Sequence, residues 1–311
     1  MLTERRIGVI GSGALGGLYG GMLANRGGEV HFLMRSDAQH VRDHGLRVES
    51  ILGDFHLPQV NVYTSPKQMP QCDITILALK TTQNHLLGEL LPPVVGASGL
   101  VLVLQNGLCP EADSAAIVGP ERVIGGVCFL CSNKVGPGHI RHLDYGRIVL
   151  GHHRPADQPP AGVTSELSAV VDVLRAGGID ALPTEDQWLA RWKKLMWNIP
   201  FNGLSVVLDA KSDRLIHHPE IAQLAESLMR EIHASAAACG RHVPESAIEE
   251  MLEHTRKMVP YDSSMRLDYL AGRPLEVEAI FGAPVRAAEK AGYLPRQVKM
   301  LYQQLKFLGN D

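Results

Sequence analysis

The chain has 311 residues, 45% of them hydrophobic, and a net charge of −3. That length accommodates about two domains with real cores. No Lys/Arg run points to a nucleic acid or an acidic membrane as partner, and no apolar run reaches the roughly 18 residues a membrane span needs.

The chain should enter a strand almost at once, at Ile7, Val9 and Ile10, which leaves no room for a signal peptide. Gly11, Gly13 and Gly16 then follow at the G-x-G-x-x-G spacing, and Ala14 to Arg26 can form a helix. Between a strand and a helix this spacing has a physical meaning. Gly11 allows a tight turn, Gly13 lets a pyrophosphate approach the backbone, and Gly16 lets the helix pack close on the strand. The helix N-terminus presents free N–H groups to the phosphates, so Gly11, Ser12, Gly13, Ala14, Leu15 and Gly16 are candidate dinucleotide-binding positions. Gly27-Gly28 should close the helix.

Glu29 to Met34 reads as the second strand. An NAD-binding chain would place Asp or Glu near its end for the ribose 2′-hydroxyl. Arg35 stands there instead, and a guanidinium suits the 2′-phosphate of NADP. Gly45 to Val62 predicts one or two strands around a polar turn at Gly53-Asp54. Asp73 to Leu79 and Leu100 to Leu104 predict further buried strands. Lys80 and Asn106 follow their carboxyl ends, where open α/β sheets bind ligands.

Arg122 to Leu130 predicts another strand. His139 to Leu143 and Arg147 to Gly151 predict a hairpin turning at Asp144-Tyr145-Gly146. His152 to Gly162 is Pro-rich and should be a loop. A helix through Leu174 and a strand over Ile179 to Leu182 complete a first domain, residues 1–184. The five cysteines are scattered and odd in number, which suits a reducing cytoplasm. Cys128-x-x-Cys131 lacks a second ligand pair, so it predicts buried strand cysteines and no metal. The 14 histidines lack metal-ligand spacing and read as surface or loop residues.

From residue 185 to 311 helices take over. Thr184-x-x-Gln187 reads as a capping box. Trp188, Trp192, Leu195 and Ile199 form an apolar face, and Lys194, Asn198 and Asn202 form a second stripe at i, i+4 and i+8. Asparagine is a poor helix former, so two in that register suit ligand contacts. Pro200 should bend or end this helix. Helices are also predicted over Pro219 to Cys239, Glu245 to Met258, Asp262 to Leu270 (with Asp262 as N-cap) and Gln297 to Leu308. Another should start at Leu275, break at Gly282-Ala283-Pro284 and resume to Ala291.

These features together resemble the ketopantoate reductase family, NADPH-dependent 2-dehydropantoate 2-reductases. The resemblance rests on the glycine turn, Lys80-Thr81, Gln105-Asn106-Gly107, Trp192-x-Lys194-Leu195-x-x-Asn198-x-x-x-Asn202, Ser263-Ser264-Met265 and Glu276. It implies an N-terminal Rossmann domain followed by an all-helical C-terminal domain like that of 6-phosphogluconate dehydrogenase. It further implies a cytoplasmic oxidoreductase of pantothenate biosynthesis that takes a small 2-oxo acid, and it admits a homodimer. By that resemblance Lys194 is the catalytic general acid, and Asn106, Asn198, Asn202 and Ser264 bind substrate. Glu276 holds a substrate hydroxyl or the cofactor ribose and joins Lys194 in catalysis. Arg35, Lys80, Asn106 and Cys131 serve the cofactor. One departure stands out. A third family asparagine is unmatched, and Asp209-Ala210-Lys211-Ser212 occupies its region, with Asp209 or Ser212 as the substitute. Reduction of another 2-oxo acid, or of a 3-keto acid, therefore stays open, as does a non-catalytic NADP-binding sensor.

Overall fold

The computed structural model describes residues 2–260 and 262–309. The chain divides into two compact units. The first comprises residues up to Gln105 together with Pro110–Gln187; the second comprises Asn106–Cys109 and Trp188–Asp311.

The first unit is built on a sheet. Its strands are β1 (Arg6–Ile10), β2 (Glu29–Leu33), β3 (Leu46–Ser50), β4 (Phe55–Leu57), β5 (Asn61–Tyr63), β6 (Cys72–Leu77), β7 (Val95–Val103), β8 (Val123–Gly136), β9 (His139–His152) and β10 (Ala181–Pro183). Its helices are α1 (Ala14–Asn25), α2 (Ala38–His44), α3 (Leu87–Val94), α4 (Glu111–Val118) and α5 (Ser165–Ala176). The spatial order is β4-β3-β9-β8-β7-β6-β1-β2-β5, with β10 beside β9. From β5 across to β8 every neighbouring pair is parallel. That order reverses direction between β1 and β6, the switch point at which doubly wound sheets bind ligands.

Strand composition follows from this topology. A parallel sheet is covered on both faces, so its strands are apolar on both sides. Ile7 and Val9 of β1 pack on one face with Leu18, Tyr19 and Leu23 of α1. Ile10 packs on the other with Leu87, Leu91 and Val94 of α3.

Several details differ from the sequence reading. Residues 139–152 form one strand, not a hairpin. Tyr145, at φ +62°, and Gly146, at +128°, make an irregularity within it, while the chain reverses before His139 and β9 pairs antiparallel with β8. The histidines are not all superficial. His31, His142, His152 and His153 are buried. His142 bonds Ser50 Oγ through Nδ1 at 2.8 Å, and His152 bonds Thr164 Oγ1 at 3.0 Å. Helix α2 has no counterpart in the sequence reading. The capping box is not formed either: Thr184 bonds the backbone of Asp186, and Gln187 donates to the buried Glu111 carboxylate at 2.7 Å.

The second unit is helical: α6 (Gln187–Val207, whose first residue belongs to the first unit), α7 (Ser212–His217), α8 (Pro219–Ala238), α9 (Ser246–Lys257), α10 (Ser264–Leu270), α11 (Ala283–Lys290) and α12 (Arg296–Leu308). Trp192, Leu195 and Ile199 of α6 join Leu228, Met229 and Ile232 of α8 in its core. The tryptophan face is thus covered internally. Helix α6 runs through Pro200 to Val207. The proline removes one backbone bond, and burial of Ile199, Phe201 and Leu204 carries the helix past it. At α10 the N-cap is Ser263, whose hydroxyl accepts from Arg266 N at 3.1 Å; Asp262 lies one residue earlier. The expected break at Gly282 is instead a π-turn, Glu278–Gly282, running straight into α11. No described helix is long and apolar enough to cross a membrane.

Candidate functional site

In the first unit the glycine turn lies at the β1/β6 switch point. Gly11 has φ +97°, and a Cβ there would lie 2.6 Å from Leu79 N and 2.7 Å from the Ala78 carbonyl carbon. Only glycine satisfies both the backbone angle and that approach. A Cβ on Gly16 would collide with the Gly11 carbonyl oxygen, so α1 packs on the turn without side chains. Gly13 is different. It caps α1 and a Cβ there would meet nothing within 4 Å. The first turn of α1 holds no acidic residue, so the N-terminus is open and electropositive. Ser12, Ala14 and Leu15 are half-buried around it. This geometry fits a dinucleotide pyrophosphate.

Arg35 lies two residues beyond the end of β2, exposed, with Nη2 3.5 Å from Gln83 Oε1. An acid does follow it: Asp37. Its carboxylate is already engaged, with Lys134 Nζ at 2.5 Å, the Gly138 N–H at 3.1 Å and Ser36 Oγ at 3.0 Å. Burial pushes the Asp37 carboxyl up, but those three donors outweigh it and hold it below its ordinary value. Asp37 is therefore turned into the fold and Arg35 out of it. Lys80 is half-buried and opens the 3-10 turn Thr81–Leu86. Gln105 fastens that turn, donating to Asn84 Oδ1 at 2.6 Å and to the Leu79 carbonyl at 3.0 Å. Cys131 is buried in β8 opposite Asp144, and Cys128 is buried in the same strand.

The second unit gathers the remaining candidates. Lys194, Asn198 and Asn202 recur at the four-residue spacing on α6, so their side chains stack along one face. Asn198 and Asn202 are buried and Lys194 is half-buried, whereas Lys193 is exposed. Glu276 is buried just before the π-turn. Asn106 belongs to the same unit because its loop docks there. The Leu108 N–H donates to the Ala279 carbonyl at 2.9 Å. Gly107 has φ +109°, and a Cβ on it would lie 2.5 Å from that same oxygen. The Asn-Gly pair is thus a docking device that seats the Asn106 loop on Ala279, three residues beyond Glu276.

The Ser263-Ser264 turn is tied to α6 as well. Ser205 Oγ bonds Ser263 Oγ at 2.8 Å and donates to the Asn202 carbonyl at 2.9 Å. Ser264, half-buried, is the first residue of α10. Ser212 is buried at the start of α7. Asp209, the other residue of that region, accepts from Arg266 Nη2 through Oδ1 at 2.7 Å. Neither the Asn106 docking nor this arginine was visible in the sequence. The Asn-Gly pair itself was the one local hint.

Comparison with known proteins places the chain in a family. The family model described as "Ketopantoate reductase PanE/ApbA" matches residues 7–155, and its C-terminal counterpart matches 186–309. A 2-dehydropantoate 2-reductase from a Nostoc species is 50% identical over 307 residues, covering 99% of this chain and 96% of that protein. The crystal structure of 2-dehydropantoate 2-reductase from Geobacter metallireducens is 39% identical, with a TM-score of 0.92, covering 97% of this chain and 99% of the other. The corresponding enzyme from Methylococcus capsulatus is 33% identical, with a TM-score of 0.86, covering 97% and 96%.

Proposed function

The chain belongs to the ketopantoate reductase family, and from that premise we propose that it reduces 2-dehydropantoate to pantoate with NADPH. The observation that carries this reading is the α6 stripe. Two buried asparagines and Lys194 share one face while the adjacent Lys193 turns to solvent.

Gly11 to Gly16 would hold the pyrophosphate, Arg35 the 2′-phosphate, and Lys80, Asn106 and Cys131 other parts of the dinucleotide. When bound, NADPH supplies hydride to the ketone carbon. The chain's own part is electrostatic and acid–base. The Lys194 ammonium stabilises the negative charge that develops on the ketone oxygen and passes a proton to it. Asn106, Asn198, Asn202 and Ser264 donate hydrogen bonds to the substrate, its carboxylate included. Glu276 accepts from the substrate hydroxyl. A plain alkyl 2-oxo acid would forgo that hydrogen bond, which is how a polar pocket discriminates. The five free cysteines suit a cytoplasmic setting.

The test compares kcat/KM for 2-dehydropantoate and 2-oxoisovalerate, which lacks the hydroxymethyl group. The native protein should prefer the former, and Glu276→Ala should shrink the preference. Equal use of both by native protein contradicts the substrate assignment. A second reading, a related 2-oxo acid, is favoured by Ser212 standing in the region of the family's third asparagine. Faster turnover of another 2-oxo acid in the same assay would select it.

A further inference from the structure

Four charged residues of the helical unit have no part in the chemistry above, yet they form one connected cluster. Arg266, in the first turn of α10, sends Nη2 to Asp209 Oδ1 at 2.7 Å and Nη1 to Asp262 Oδ1. Lys211 Nζ lies 3.4 Å from Asp262 Oδ2. The Arg266 side chain is only 13% exposed. Its planar fork is thus spread between two carboxylates, one of them on the 67% exposed Asp209, and it fixes geometry as well as charge.

The cluster has a particular position. Asp209 lies in the turn between α6 and α7, three residues before Ser212, and has φ +44°. Aspartate is among the few non-glycine residues that take this conformation as single residues. Asp262 lies two residues before Ser264. Arg266 therefore joins the turn that opens α7 to the turn that opens α10. The Ser205–Ser263 bond at 2.8 Å ties the second of these turns back to α6, beside Asn202.

We propose that Arg266 is a positioning residue for the substrate: by bridging Asp209 and Asp262 it holds Ser212 and Ser264 in register with Asn202. This rests on the proposed reading of the site as one that binds a 2-oxo acid. Neutral donors bind a carboxylate only when they converge on it, and a displacement of about 1 Å can cost on the order of a hundredfold. Arg266 touches no reacting atom, so its loss falls on substrate binding.

The test is Arg266→Met, with steady-state kinetics on 2-dehydropantoate and NADPH affinity by fluorescence titration. KM for the 2-oxo acid should rise about tenfold or more, with kcat much less affected and NADPH affinity within about twofold of native. Arg266→Lys, which keeps the charge but loses the fork, should fall between. The double variant Arg266→Met/Ser264→Ala should be no worse than the poorer single variant, because one acts through the other. A native KM in Arg266→Met, or effects that multiply in the double variant, overturns the proposal. Should Arg266→Met fail to fold, Asp209→Gly removes one arm at a side chain that is 67% exposed, and glycine tolerates the φ of +44° there; an unchanged KM there overturns it equally. If native protein does not reduce any 2-oxo acid, the reading of the site fails and this inference with it. Native turnover with an unmoved KM in the variants refutes this inference alone.

Discussion

Replacing Gly107 by alanine tests how the Asn106 loop is held. The added Cβ would lie 2.5 Å from the Ala279 carbonyl oxygen, 2.6 Å from its carbon and 2.7 Å from its Cβ. Two of these are backbone atoms, which cannot rotate away. The residue must also keep φ +109°, where L side chains are strained by roughly 1–3 kcal/mol. If the loop yields instead, it loses the 2.9 Å bond from Leu108 N to Ala279 O, worth about 1 kcal/mol. The expected cost is therefore roughly 1–3 kcal/mol, a melting temperature lower by about 2–5 °C in a chain of 311 residues. Asn106 should shift with the loop, so KM for the substrate should rise. Thermal unfolding and steady-state kinetics measure both. A variant that melts within about 1 °C of native and keeps its KM would refute the docking argument.

Further outcomes follow from the same geometry. Arg35→Ala should weaken NADPH binding while leaving NADH binding close to native; equal loss of both would remove Arg35 from the 2′-phosphate. Lys194→Ala should lower kcat by roughly a hundredfold to ten-thousandfold, whereas Lys193→Ala, changed at an exposed position, should stay near native; the reverse pattern would discard the α6 assignment. Asp37 gives a pH dependence. Its carboxyl is held below the ordinary value, so its stabilisation is present above the unfolded pKa and is lost as pH falls through the folded one. Asp37→Asn should therefore melt below native at neutral pH, with the gap closing in acid. A gap that does not vary with pH would show that the carboxylate charge is not what stabilises the loop.

The parts of the fold legible in sequence were those governed by local rules. The glycine turn reads from spacing because backbone angle and close packing leave no other residue at Gly11 and Gly16. The α6 register reads from helix periodicity, which separates Lys193 from Lys194 whatever the helix packs against. What was not legible depends on distant partners. Asp144-Tyr145-Gly146 has the composition of a hairpin turn, and only the pairing of β9 with β8 makes it an irregularity within a strand. Gln187 has the spacing of a capping residue but is drawn to Glu111, 76 residues away. Gly282 and Pro284 look like a helix break, yet packing of Ile280, Phe281 and Val285 sustains a π-turn through them. The candidate site divides the same way. Its α6 stripe was readable, but the docking of the Asn106 loop on Ala279 joins segments 171 positions apart (Leu108 to Ala279). The tie from Arg266 to Asp209 spans 57 positions. No local pattern encodes either contact.

Reductase activity is tested by following NADPH absorbance with purified protein, with and without 2-dehydropantoate, and identifying the product. Without the 2-oxo acid no NADPH should be consumed. With it, NADPH should be oxidised in equal amount to pantoate formed. Binding of NADPH without turnover of any 2-oxo acid would contradict the account and leave a sensor in its place.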